Sequence, residues 1–187
     1  TASVAQTLIQ HKANVNAANQ YGGTPLHAAS TAAVAETLIQ HKANVNAANQ
    51  SGGTPLHAAS TAAVADTLIQ HKANLNTRDN DGQTALLHAL RHRGFMPLAE
   101  ALLDGKADVN VKDCRNCTAL HAAVSSCSPQ SVDMIIAAKA NVNARPADGT
   151  TALLHAVMSG KETAAQALIA AKARVNARNH DGHTTLH

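Results

Sequence analysis

The chain has 187 residues and a formal net charge of +3, and its 45% hydrophobic content includes only two aromatics, Tyr21 and Phe95, with no tryptophan. A core must therefore be built from Ala, Leu, Ile and Val, with many shallow contacts in place of a few deep ones. The mild basicity excludes the dense Lys/Arg surface of a nucleic-acid binder, no apolar run reaches the ~20 residues a membrane-spanning helix needs, and three cysteines make no disulfide framework, which favours a reducing, cytoplasmic location.

In chain order, the first pattern is helical, "TASVAQTLIQ" at 1–10, followed by "HKANVNA" and a turn, "NQYGG". "TPLHAA" then predicts a short helix with Thr24 as N-cap and Pro25 at the first helical position, where a missing N–H costs nothing. A second helix follows in "VAETLIQHK", with Val34, Leu38 and Ile39 on one face. From there the chain repeats itself. Residues 1–30 and 31–60 differ only at Ser3/Ala33, Gln6/Glu36 and Tyr21/Ser51, which suggests recent duplication. The anchoring threonines are Thr24, Thr54, Thr84, Thr118, Thr151 and Thr184, at spacings of 30, 30, 34, 33 and 33. A second anchor, "KANVN" or a close variant, ends at Asn16, Asn46, Asn76, Asn110, Asn143 and Asn176. Neither helix of a unit can bury its face alone, so the copies must stack side by side as a solenoid.

The sequence "GGTPLHAA", then a second helix, then "KANVNAANQSGG", resembles the ankyrin repeat over the whole chain. The resemblance implies an all-α solenoid of stacked helix-turn-helix repeats with projecting β-hairpin loops. It divides the chain into a partial repeat at 1–22, repeats at 23–52, 53–82, 83–116, 117–149 and 150–182, and the start of another at 183–187. Both ends cut a repeat in half, so a fragment of a longer chain is expected. The motif histidines, His27, His57, His121 and His187, are implied to tie units together near the Thr and the neighbouring loop.

Three departures carry physical expectations. Lys12, Lys42, Lys72, Lys106, Lys139 and Lys172 stand where the family usually has Gly. If that position is left-handed, each Lys costs about 1 kcal/mol, partly returned by a cation at a helix C-terminus. The 30-residue units lack three residues between their helices, which predicts a shorter first helix or tighter turn there, with Thr31 and Thr61 capping the second helix. In "TALLHAL" and "TALLHAV", Leu87 and Leu154 take the motif His position; Pro97 and Pro129 open later second helices, with Ser128 a candidate cap.

The chemically tempting residues have structural readings. His11, His41 and His71 recur on helices expected to lie about 8–10 Å apart, a ladder that cannot converge on a metal needing ligands at about 2.0–2.3 Å. Cys114 and Cys117 form a C-x-x-C, but no second pair exists, and "DCRNCT" aligns with a hairpin turn in which Asn116 takes the Gly place. Cys127 is expected in the packing. There is no phosphate loop, nucleophile elbow or H-E-x-x-H, so no catalytic residue, cofactor or metal is expected. The basic cluster "RHRG" is too small, and too lacking in aromatics, for nucleic acid.

The resemblance implies a non-catalytic scaffold that binds a protein partner on its concave hairpin and first-helix face. Mapped onto this chain, that face offers Tyr21, Asn80, Asp81, Gln83, Arg91, His92, Cys114, Arg115, Cys117, His180, Asp181 and His183. Specific recognition is expected at 78–117 and 178–183, with the near-identical copies as spacer. Alternatives are a structural linker subunit of a large assembly, or the regulatory or substrate-binding module of a larger enzyme of the kinase or ubiquitin ligase type. Asn110 and Asn143 resemble positions hydroxylated in some ankyrin proteins.

Overall fold

The computed structural model describes residues 1–91, 96–126 and 129–187. The expectations placed on His92, on the rest of "RHRG" beyond Arg91, on Cys127 and on Ser128 lie outside them. The helices are α1 (Ala2–Gln10), a 3-10 helix (Pro25–Ala28), α2 (Ala32–Gln40), α3 (Pro55–Ala58), α4 (Ala62–Gln70), α5 (Ala85–Arg91), α6 (Met96–Asp104), α7 (Ala119–Ser125), α8 (Pro129–Ala137), α9 (Ala152–Met158) and α10 (Glu162–Ala170). No β-strand forms among the described residues. They fall into two compact units, one of residues 1–86 with 97–107, the other of 87–96 with 108–187.

The local grammar explains the helix lengths. In the 30-residue units the first helix is a single four-residue turn, Pro25–Ala28 or Pro55–Ala58, whereas α5, α7 and α9 each run seven residues. The short units end early because Ala29 and Ala59 leave helical space and Thr31 and Thr61 restart it. Each of those threonines accepts a hydrogen bond from the backbone N–H three residues on, Val34 or Val64, at 3.3 Å.

All six lysines of the second anchor are left-handed, with φ between 64° and 71°. Asn116, in the hairpin place of a glycine, has φ 60°. The lysine fold-back lets the residue after it, Ala43 for instance, reach a carbonyl of the helix just ended: Ala43 N–H donates to Leu38 at 3.0 Å and Ala107 N–H to Leu102 at 3.0 Å.

In the first unit the core is made by Leu26 and Leu56 of the short turns against Ala35, Leu38, Ala65 and Leu68 of α2 and α4, each no more than 5% exposed. In the second unit Leu120 and Leu153 play the same part with Ile135 and Leu168. The small alanines let the helices approach closely, and the leucines supply most of the buried area.

Candidate partner-binding surface

The projecting loops are built on one repeated residue. Asn19, Asn49, Asp79, Asp113 and Asn179 each donate their N–H to the carbonyl four residues on, at 2.9–3.1 Å. Their side-chain oxygens accept the N–H of that same residue, Gly23, Gly53, Gln83, Cys117 or His183, at 2.8–2.9 Å. These Asx turns close each hairpin without a strand ladder. The repeat at 117–149 breaks the pattern: Pro146 stands in the Asx place, and Asp148 Oδ1 holds the Thr150 N–H at 2.9 Å instead.

Consecutive tips are joined by backbone bonds. Within the first unit, Gln50 N–H donates to the Tyr21 carbonyl at 3.0 Å and Asn80 N–H to Ser51 at 2.9 Å. Within the second, Ala147 N–H donates to Arg115 at 2.8 Å and His180 N–H to Asp148 at 3.0 Å. Below the tips, the motif asparagines staple one repeat to the next. Asn16 Oδ1 accepts Asn44 N–H, Asn46 accepts Asn74, Asn110 accepts Asn141 and Asn143 accepts Arg174, all at 2.8 Å. Asn110 and Asn143 thus commit their side-chain oxygens to the scaffold.

The histidines form the third tie. Thr24 and Thr54 donate their N–H to Nδ1 of His27 and His57 at 3.1 Å, which leaves the ring proton on Nε2. Nε2–H then donates to the next loop: His27 to the Gly53 carbonyl at 3.1 Å and His57 to Gln83 at 3.0 Å. The C-terminal histidines of the second helices have local partners. His11 and His41 bond back to Thr7 and Thr37 at 2.9 and 2.8 Å, and His71 Nε2 lies 2.9 Å from Glu36 Oε2. That contact, with help from Gln40, holds the Glu36 carboxyl below its ordinary range. Among the described residues no group of three His, Cys, Asp or Glu is arranged to hold a metal ion.

The expected partner residues divide into outward-facing and structural. Tyr21 is 66% exposed, and Asp81, Cys114, Arg115, His180 and Asp181 are exposed at the tips. His183 is exposed and packs edge to face against His187, ring centres 5.9 Å apart. Asn80 spends its amide on the Gln50 carbonyl at 3.0 Å, and Gln83 gives its backbone to the hairpin and to His57. Arg91 Nη2 reaches Asp113 Oδ2 at 2.6 Å, so it braces the Asp that closes its hairpin. The Cys117 thiol is pushed up, first by burial and then by Asp113. Tyr21, Asn80, Asp81 and Gln83 lie in the first unit; the other described ones lie in the second.

The sequence reading passed over the Asx residues, the Arg91–Asp113 brace and Lys161, whose Nζ donates to the Val124 and Ser125 carbonyls at the end of α7. It also passed over an open cavity of about 580 Å³ in the second unit, lined by Arg145, Arg174 and Arg178 beside Asn143 and Asn176. The signal for that groove was a pair of arginines, Arg145 and Arg178, at matching loop positions 33 residues apart, with Arg174 in the same loop as Arg178.

Among the described residues no helix is long and apolar enough to cross a membrane. No curated protein matches the sequence at a significant level. The family model for ankyrin repeats in three copies matches residues 1–79, 31–113, 60–146 and 120–187. Among solved structures, the ankyrin repeat domain of Bcl-3, a unique member of the IkappaB protein family, is 25% identical with a TM-score of 0.85, covering 99% of this chain and 86% of that one. An ankyrin repeat domain (ABAYE2397) from Acinetobacter baumannii AYE is 26% identical with a TM-score of 0.81, covering 92% of this chain and 93% of that one. The caps, staples and hairpins agree with both comparisons: the chain belongs to the ankyrin repeat family, whose domains are generally protein–protein interaction modules and typically non-catalytic.

Proposed function

We propose that this chain is a non-catalytic interaction scaffold whose hairpin tips and first-helix faces hold a partner protein, working in the cytoplasm. The observation that carries the reading is the backbone bonding of successive tips within each unit, which gives each unit a fixed ledge of its own, with exposed Tyr21 and Asp81 on one and exposed Arg115, His180 and Asp181 on the other. A ledge ordered in advance spares much of the entropy cost of binding. Recognition is assigned to 78–117 and 178–183, where charged and histidine side chains stand out. The duplicated units offer Gln50, Ser51 and Ser60, which are small or neutral and suit a spacer.

Arg115→Glu is the variant to make, because Arg91 is tied to Asp113 and its loss would disturb the hairpin as well. Cross-linking mass spectrometry on the native protein in its own cell extract should give links from the tips to a separate protein. Arg115→Glu should weaken capture about tenfold, and Ser51→Glu less than about twofold. Equal effects would remove the assignment of recognition to 78–117. Links running only to a catalytic domain of the same polypeptide would favour the regulatory module of an enzyme.

A further inference from the structure

One histidine tie is missing, and its absence has a cause. In the first unit the Gly53 and Gln83 carbonyls are each held twice, by the N–H of their own Asx residue at 2.9 Å and by His27 or His57 Nε2–H at 3.0–3.1 Å. In the second unit the corresponding pair is His121 and Thr150. Pro146, in the Asx place, has no N–H to hold the Thr150 carbonyl and no side-chain acceptor to close the turn. His121 is 5% exposed, and its Nδ1 takes the Thr118 N–H at 3.2 Å. Among the described residues its Nε2 is the one buried side-chain nitrogen or oxygen without a hydrogen-bond partner. The Ala144 carbonyl is near enough to favour the charged ring slightly, yet makes no hydrogen bond with it.

A cavity of about 220 Å³ stands at this place, lined by His121, Arg91, Cys117, Asp148, Thr150 and His155 among others. At ~30 Å³ per water it holds more than one solvent molecule, and it is smaller than the ~300 Å³ at which small-molecule pockets begin. Its size suits one polar side chain.

We propose that this pocket takes the carboxamide of a glutamine or asparagine side chain presented by a bound protein, a reading that rests on the interaction function above. The Nε2–H of neutral His121 requires an acceptor, and in the sister repeats that acceptor is an amide carbonyl. Asp148 lines the same pocket as an ionised carboxylate, held below its ordinary range chiefly by the Thr150 N–H. It repels a carboxylate guest and accepts from an amide NH2. Arg91 gives its charge to Asp113 at 2.6 Å. His155 is pushed below its ordinary value by burial and by Lys161, so it is neutral at pH 7 and adds no cation to draw an anion. An alkyl guest would leave the buried Nε2–H unpaired.

The test is titration of the whole chain at neutral pH with N-acetyl-glutamine methylamide, its glutamate analogue and its leucine analogue, read by long-range proton–nitrogen NMR at His121 Nε2. The glutamine compound should give a saturable shift, and the glutamate compound should bind at least about fivefold more weakly. The leucine compound should give none. Pro146→Asn restores the Asx N–H, should return the Thr150 carbonyl to His121, and should abolish the glutamine shift in a protein at least as stable as the parent. No shift with any compound would mean that the pocket holds water alone, and equal or tighter glutamate binding would overturn the choice of an amide. An unchanged glutamine shift in folded Pro146→Asn would overturn the origin assigned to the pocket. Because the titration needs no partner, a captured partner with no glutamine shift removes the pocket alone. A glutamine shift with no captured partner removes the protein as the source of the amide.

Discussion

A lysine at positive φ in every described second anchor is a cost repeated six times, since a Cβ in the left-handed region crowds the backbone and glycine does not. Part of it is offset by a cation beside the carbonyls that end the helix. The position also has a second duty: the Lys42 and Lys72 carbonyls accept the amides of Asn16 and Asn46 at 3.0 and 3.4 Å, so the fold-back is stapled by the preceding repeat. Lys72→Gly keeps that carbonyl and removes the Cβ. It should stabilise the protein by about 1 kcal/mol in urea unfolding, while Lys72→Ala, which retains the Cβ, should gain nothing. Equal midpoints for the two variants would show that left-handed strain is not what the lysine costs.

At the scale of the element, position in the stack decides what a residue is worth. Leu8, Leu38 and Leu68 occupy the same place in α1, α2 and α4, yet they are 56%, 5% and 0% exposed. Leu68→Ala opens a cavity in a packed interior and should cost about 2–5 kcal/mol, whereas Leu8→Ala removes a mostly solvated side chain and should cost less than about 1 kcal/mol. Urea midpoints for the two variants measure this directly, and similar losses would contradict the packing. The same scale shows what was legible beforehand. Helix lengths, Thr caps and left-handed lysines could be read because each is decided within a few residues: a 30-residue period, a Thr-Pro pair and a Gly replaced by Lys. The staples could not, because Asn16 meets Asn44 across 28 residues, and only the stacking brings them together. Arg91 read as a charged contact for a partner; its pairing with Asp113 needed the hairpin to fold back onto the end of α5. Pro146 was visible in the sequence, but its consequence depended on knowing that an Asx N–H holds the carbonyl that a histidine also uses.

Across the whole molecule, the weak point in acid should lie in one unit. Repeat arrays hold by nearest-neighbour contacts, so a local loss stays local before it becomes global. His121 is buried neutral, its pKa lowered from 6.5 to about 4 chiefly by desolvation and then by His155. The unfolded chain therefore binds a proton that the folded chain refuses between those two values, and stability present above pH 6.5 is lost progressively down to about pH 4. The full span is worth about 3 kcal/mol at ~1.4 kcal/mol per unit. His155, lowered in the same direction by burial and Lys161, adds to it. In the first unit His27 and His57 keep their Nε2–H bonds to the next loop. Hydrogen exchange near pH 4.5, about two units below the onset, should therefore show α7 and α9 losing protection while α2 and α4 keep theirs, once rates are corrected for intrinsic pH dependence. His121→Gln, which cannot take up that proton, should remove most of the difference between the units. Uniform loss in both, or loss beginning in α2 and α4, would place the acid-sensitive group outside the fourth and fifth repeats.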